Sequence, residues 1–195
     1  MDTKTNPIPP SELIINSDGS IFHLHLKPEQ LADRIVLVGD PDRVTMIGKY
    51  LSDIECDVCN REFHSITGRY AGKRLTILSH GIGGDNIDIV INELDALANI
   101  DFSTRLPRET PRVLTLVRIG TCGGLQPWSP IGTYVAAERA VGFDGVPYFY
   151  ADTERVRDLP LEAALRSQLS WRIDGLVPYP RRKGSYEYAE LRTAL

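Results

Sequence analysis

The chain has 195 residues, 42% hydrophobic and 25% charged, with a net charge of −4, a size suited to one well-cored domain and short for two. That charge gives no general attraction to nucleic acid or an anionic membrane, so neither is expected as a partner. No apolar stretch has the length of a membrane span, and Met1–Pro7 has neither the basic flank nor the apolar run of a signal peptide, so a cytoplasmic location is expected.

Residues 1–20 are polar and proline-bearing and predict a flexible N-terminal arm, leaving 21–195 as a single domain. Ile35–Val38 is a short apolar run of the kind buried on both faces of a sheet. It ends at Gly39-Asp40-Pro41-Asp42-Arg43, where Asp40 can cap and Pro41 can open a helix running to about Leu51. Two strands follow, about 61–70 and 74–79, joined by a turn at Ala71-Gly72-Lys73. The second empties into His80-Gly81-Ile82-Gly83-Gly84, after which Ile87, Val90, Ile91, Leu94 and Ala98 fall at helical spacing. Residues 101–112 hold two prolines and five charges and predict a surface loop before a strand ending at Arg118. Gly132–Glu138 predicts a further strand, and Leu161, Ala164, Leu165 and Leu169 one face of another helix. Strands alternating with helices imply an α/β fold, a class that binds ligands beyond the carboxyl ends of its strands.

The run Leu114–Arg118 leads into Ile119-Gly120-Thr121-Cys122-Gly123-Gly124. A buried strand seldom accepts an unpaired guanidinium, so Arg118 points either to an anion at the strand's end or to an internal carboxylate. Gly39 and Arg43 pose the same choice between a helix start with a solvent-facing arginine and an oxyanion clamp at a helix terminus. Neither segment is a Walker loop or a dinucleotide fingerprint, which disfavours nucleoside triphosphates and NAD. Three cysteines, Cys56, Cys59 and Cys122, leave an odd thiol under any pairing, and Cys56-x-x-Cys59 lacks a second pair at zinc-site spacing, which argues against a metal or redox centre. Cys122 reads as a small buried filler, His64 and His80 as structural, and His25 as a surface or interface residue.

Taken together, Gly39–Arg43, Arg61-Glu62-Phe63, Gly81–Gly84, Arg118–Thr121 and the opening Phe22-His23-Leu24-x-Leu26 resemble, in order and spacing, the signature of the nucleoside phosphorylase superfamily, on its uridine phosphorylase branch. The resemblance covers about residues 21–150. It implies a three-layer α/β sandwich with a mixed, twisted central sheet, and phosphate-dependent cleavage of a nucleoside's N-glycosidic bond, with purine nucleosides as the sibling substrate class. It implies that Gly39, Arg43, Arg118 and Thr121 bind inorganic phosphate as co-substrate, with Arg43, Arg118 and Thr121 catalytic. Arg61 would reach phosphate, and His23 the ribose 5′-hydroxyl, from a neighbouring subunit of a homodimer or higher homo-oligomer. No metal or redox cofactor is implied; Glu62 matches a carboxylate that helps hold a monovalent cation in some members, although Asn86 stands where those members place another oxygen ligand.

The resemblance fades after about residue 175. The glutamine and arginine pair, the Met-Glu segment and the closing helix that it implies do not follow, and Pro180–Ser185 turns basic while Glu187 and Glu190 lack the Met-Glu context. The sequence therefore predicts a domain incomplete at its C-terminus, and an impaired paralogue that binds phosphate or a partner subunit without turnover stands as the alternative to an active enzyme.

Overall fold

The computed structural model describes residues 6–142 and 145–168. They fall into two compact units, one reaching Val135 and the other starting at Ala136. The first holds strand β1 (Arg34–Val38), helix α1 (Pro41–Gly48), strands β2 (Ser52–Asn60), β3 (Phe63–Tyr70) and β4 (Lys73–Ser79), and helix α2 (Gly84–Asn99). Three short strands complete it: β5 (Ile100–Asp101), β6 (Leu106–Pro107) and β7 (Thr115–Arg118).

The central sheet has the order β2-β3-β4-β1-β7. β1 runs parallel to β4 and β7, whereas β2, β3 and β4 form an antiparallel meander. This is the mixed sheet that the resemblance implies. Strand alternation then explains the layers. Ile35 and Leu37 of β1 join a core with Phe63, Leu78 and the α2 residues Val90, Leu94 and Leu97, while Val36 and Val38 face Val44, Ile47, Ile66 and Ile77 under α1. Each face of β1 is therefore sealed by a different helix.

Asp40 and Pro41 act as expected at the start of α1, the Asp40 side chain accepting from the Asp42 N–H at 2.9 Å with Pro41 in the first helical position. Several expectations do not hold. Residues 52–60 form an edge strand that the sequence reading passed over, and the 101–112 loop contains the small β5–β6 hairpin. Gly132–Glu138 is not a strand, and Ile131, Tyr134 and Val135 stand exposed. β7 is not buried either: among the described residues it pairs only with β1, and both Val117 and Arg118 are exposed. The N-terminal segment, expected to be free, is docked from Ile8 onward; Leu13 is buried in the core, and the Arg105 guanidinium donates to the Ile8 and Leu13 carbonyls.

In the second unit, helix α3 (Leu159–Gln168) begins where the Asp158 carboxylate accepts from the Leu161 N–H. Its Arg157–Glu162 and Arg139–Asp158 ion pairs lie across the helix start. Leu169 and the basic Pro180–Ser185 segment lie outside the described residues. No helix among the described residues is long and apolar enough to cross a membrane.

Candidate active site

The parallel strands β1, β4 and β7 all end on one side of the sheet, so the three segments that follow them meet. The His80 N–H donates to the Val38 carbonyl at 2.8 Å and the Ile119 N–H to the Leu37 carbonyl at 2.9 Å, carrying the ladder past the strand ends. Beyond these bonds opens a cleft of about 850 Å³ whose lining includes Gly39, Arg43, His80, Gly81, Arg118 and Thr121. Four residues singled out from sequence, Gly39, Arg43, Arg118 and Thr121, are thus brought together from two strand ends. The N-termini of α1 and α2 also border the cleft, through Pro41 and through Gly83 and Asn86, adding backbone dipoles that favour an anion. Asp40 and Glu62 line the same space and offset part of the arginine charge.

Arg118 is exposed and not an unpaired buried cation, so it carries none of the cost of a charge in a dry strand. Its Nε–H donates to His80 Nε2 at 3.0 Å. An accepting Nε2 fixes His80 as the neutral ring with its proton on Nδ1. Burial, and secondarily the Arg118 charge, lower the His80 pKa from its ordinary 6.5, against a smaller opposing effect of the Gly81 and His80 carbonyls. Nδ1 itself is buried without a well-aligned partner. The ring is oriented toward Arg118 at the expense of its own N–H, which marks His80 as part of the site and not only of the core. Glycines make room beside Arg118 and beside Glu62. A side chain at Gly120 would run into the guanidinium, its Cβ lying 3.1 Å from Arg118 Cζ. At Gly81, φ is +66° and a Cβ would lie 3.2 Å from Glu62 Cγ.

His23 and Arg61 do not line this cleft. They form a separate cluster in which the Arg61 guanidinium sits 5.4 Å from the Phe22 ring centroid and the His23 ring packs edge-on to Phe22 at 4.8 Å. His23 is held by Glu93: its Nδ1 is 2.7 Å from Oε1, and the backbone N–H groups of His23 and Leu24 both donate to the same carboxylate. Nε2 is then the ring nitrogen left to meet a ligand. Glu93 escaped the sequence reading, although a carboxylate three residues after Val90 and one before Leu94, on the buried face of α2, was a visible signal. The sequence names His80 only as structural, because its contact with Arg118 spans 38 positions.

Glu62 reaches the cleft, but the Asn86 side-chain amide is committed to the Ile82 carbonyl at 3.1 Å. Cys122 is exposed and no buried filler, while Cys56 is buried and Cys59 exposed. Partial desolvation of the sulfur and the Asp57 charge push the Cys59 thiol up, so with no cation beside it Cys59 is a poor candidate for a reactive thiolate. His25, as expected, is a surface residue, its ring 3.9 Å from Asp18.

An α/β sheet whose parallel strand ends bring two arginines, glycines and a threonine to one cleft has the groups of an anion-binding site. The chain belongs to the phosphorylase superfamily, whose sequence profile matches residues 33–186. It is 31% identical over 150 residues to uridine phosphorylase from Thermococcus kodakarensis, covering 76% of this chain and 49% of that protein. Identity to uridine phosphorylase from Haemophilus influenzae is 30%, over 82% of this chain and 58% of that one. A DeoD-type purine nucleoside phosphorylase from Alkaliphilus metalliredigens is 34% identical over 54% of this chain and 40% of its own length. Among solved structures, a Trypanosoma brucei nucleoside phosphorylase described as showing uridine phosphorylase activity superposes with a TM-score of 0.57 at 36% identity, over 60% of this chain and 41% of that one. The chain spans about half the length of the curated relatives it matches.

Proposed function

We propose that this chain is a uridine phosphorylase-like pentosyltransferase, releasing a free base and ribose 1-phosphate from a nucleoside and inorganic phosphate. The observation that carries this reading is the convergence of Gly39, Arg43, Arg118 and Thr121 in one cleft, together with identity of about 30% to uridine phosphorylases over most of the chain. In this reading the two guanidiniums and the Thr121 hydroxyl hold phosphate beneath C1′ of the sugar. As the C1′–N bond breaks, its electron pair leaves with the base, which takes a proton from solvent, and a phosphate oxygen forms the new C1′–O bond. The dianion stabilises the positive charge that develops on the sugar, and forked arginine contacts fix it in an attacking position. His23 and Arg61, clustered with Phe22 outside their own cleft, serve the site of a second copy, His23 through the ribose 5′-hydroxyl and Arg61 through phosphate.

The test is phosphate-dependent release of uracil from uridine, run beside hypoxanthine release from inosine and a direct measurement of phosphate binding. Uracil release that requires phosphate supports the reading. Faster inosine turnover moves the chain to the purine branch, and phosphate binding without base release assigns it the non-catalytic role. Absence of phosphate binding removes the site. Arg118→Ala deletes a charge-assisted contact of about 1.5–3 kcal/mol and is expected to weaken phosphate binding roughly tenfold or more.

A further inference from the structure

The hairpin of β2 and β3 carries a second group of donor atoms, outside the lining of the cleft. Cys59 and His64 are directly opposed across the two strands, and Asp57, two residues before Cys59, shares their face by strand alternation. Cys56 lies three residues from Cys59 and so faces the other way, into the core. The cysteine pair visible in the sequence is therefore not the unit that the fold assembles. The unit is Asp57, Cys59 and His64, whose carboxylate oxygen, Sγ and ring nitrogen lie within 4.8 Å of one another.

The surroundings of the His64 ring are unusual. Nδ1 faces the Pro41 carbonyl at 3.3 Å and Nε2 faces the Asp57 carboxylate at 2.7 Å, so both nitrogens meet atoms that only accept. A neutral imidazole has one N–H and satisfies one side. Given to Asp57, that proton leaves the Nδ1 lone pair against the Pro41 carbonyl; given to Pro41, it leaves the Nε2 lone pair against an anionic oxygen, a contact that a cation between them relieves. A second ring proton or a metal ion can fill that place. Only the metal makes use of the third donor, the Cys59 sulfur. The Pro41 carbonyl then acts as the outer partner that fixes the tautomer and orientation of a metal-bound histidine.

We propose that Asp57, Cys59 and His64 form a three-ligand site for a borderline divalent transition ion of the Zn²⁺ class. The mixed nitrogen, sulfur and oxygen set suits Zn²⁺, whereas Mg²⁺ and Ca²⁺ take all-oxygen shells. Tetrahedral coordination at ordinary bond lengths separates neighbouring ligand atoms by about 3.3–3.6 Å. The carboxylate, 2.7 Å from Nε2, must therefore retreat slightly to share an ion with it. His64 is fixed by burial, with its side chain 9% exposed, while Asp57 at 59% is free to make that adjustment. Binding displaces the Cys59 thiol proton to solvent and leaves a fourth position for water. This site stands independently of the phosphorylase reading.

The test is titration of the chelator-treated full chain with Co²⁺, followed by absorption spectroscopy and then by Zn²⁺ competition. One equivalent is expected to bind with a thiolate-to-cobalt charge-transfer band and the ligand-field spectrum of a tetrahedral ion, both erased by Zn²⁺. Asp57→Asn and Cys59→Ser alter exposed residues, so the fold survives, as circular dichroism can verify. Each is expected to weaken Co²⁺ binding by roughly tenfold or more, and Cys59→Ser abolishes the charge-transfer band. A wild-type chain without the band, a band that persists in Cys59→Ser, or unchanged affinity in Asp57→Asn overturns the proposal.

Discussion

Replacing His80 tests whether the cleft depends on a neutral ring behind Arg118. His80→Leu removes the acceptor 3.0 Å from Arg118 Nε, whereas His80→Gln offers an amide oxygen at a similar reach. A hydrogen bond to a charged group contributes about 1.5–3 kcal/mol. Arg118 is exposed, so water replaces part of the lost contact; about 1 kcal/mol is a fair remainder, roughly a fivefold loss of anion affinity. Protonation should act like the leucine, because it turns Nε2 from acceptor into donor and sets two cations against each other. The folded-state pKa of His80 is depressed below 6.5, so by linkage the stability from its neutral form is complete above the unfolded value and lost as pH falls through the folded value. Anion binding should weaken over the same interval below pH 6.5. Inorganic phosphate gains a proton nearby in pH whereas sulfate remains a dianion, so sulfate affinity measured calorimetrically against pH isolates the histidine. The expected outcome is a wild-type affinity that falls with acidification, a flat profile near wild-type strength for His80→Gln, and weak, pH-independent binding for His80→Leu. Identical pH profiles in wild type and His80→Gln, or full affinity in His80→Leu, would refute the reasoning.

Gly120→Ala should displace the guanidinium, whose Cζ lies 3.1 Å from the new Cβ; we expect phosphate affinity to drop several-fold with little change in melting temperature, because the glycine lies on an exposed segment. Glu93→Ala strands the buried Leu24 N–H and frees His23, which should cost at least about 2 kcal/mol and lower Tm by roughly 4–8 °C, as read by calorimetry. If Arg61 serves a second copy's cleft, Arg61→Ala and Arg118→Ala chains, each impaired alone, should regain part of their nucleoside phosphorolysis when mixed and refolded together. No recovery from a mixture shown by mass spectrometry to contain mixed dimers would place Arg61 in its own cleft or in none.

The parts of the fold legible in the sequence were those fixed by local chemistry. Ile35–Val38, the Asp40–Pro41 helix start and the Ala71–Lys73 turn each carry their signal within a few residues, and the structure reproduces them. β2 was lost because Asp53, Glu55 and Asp57 break any apolar run, although Ile54, Cys56 and Val58 alternate with them in the period of a strand with one covered face. Gly132–Glu138 failed in the opposite sense. Its β-branched and aromatic residues have strand propensity, but propensity supplies no ladder partner, and among the described residues β7 pairs only with β1.

The site divides along the same physical line. Glycine after a strand and arginine in the first turn of a helix are short-range features, which is why Gly39 and Arg43 could be named without coordinates. Pairings made by topology could not. Arg118 and His80 are neighbours because β1 lies between β4 and β7 and all three run the same way; His23 meets Glu93 across 70 positions because α2 returns over the sheet face that covers the N-terminal segment. In both cases the residue that orients the named one, His80 or Glu93, has no functional signal in its own neighbourhood of the sequence. A guanidinium or an imidazole can be recognised in a sequence as chemically competent, but its competence depends on being held, and the groups that hold it are chosen by the order of strands in the sheet. Here that order sets a buried neutral ring behind one arginine and a buried carboxylate behind one histidine, each reached from a strand or helix far away in the chain.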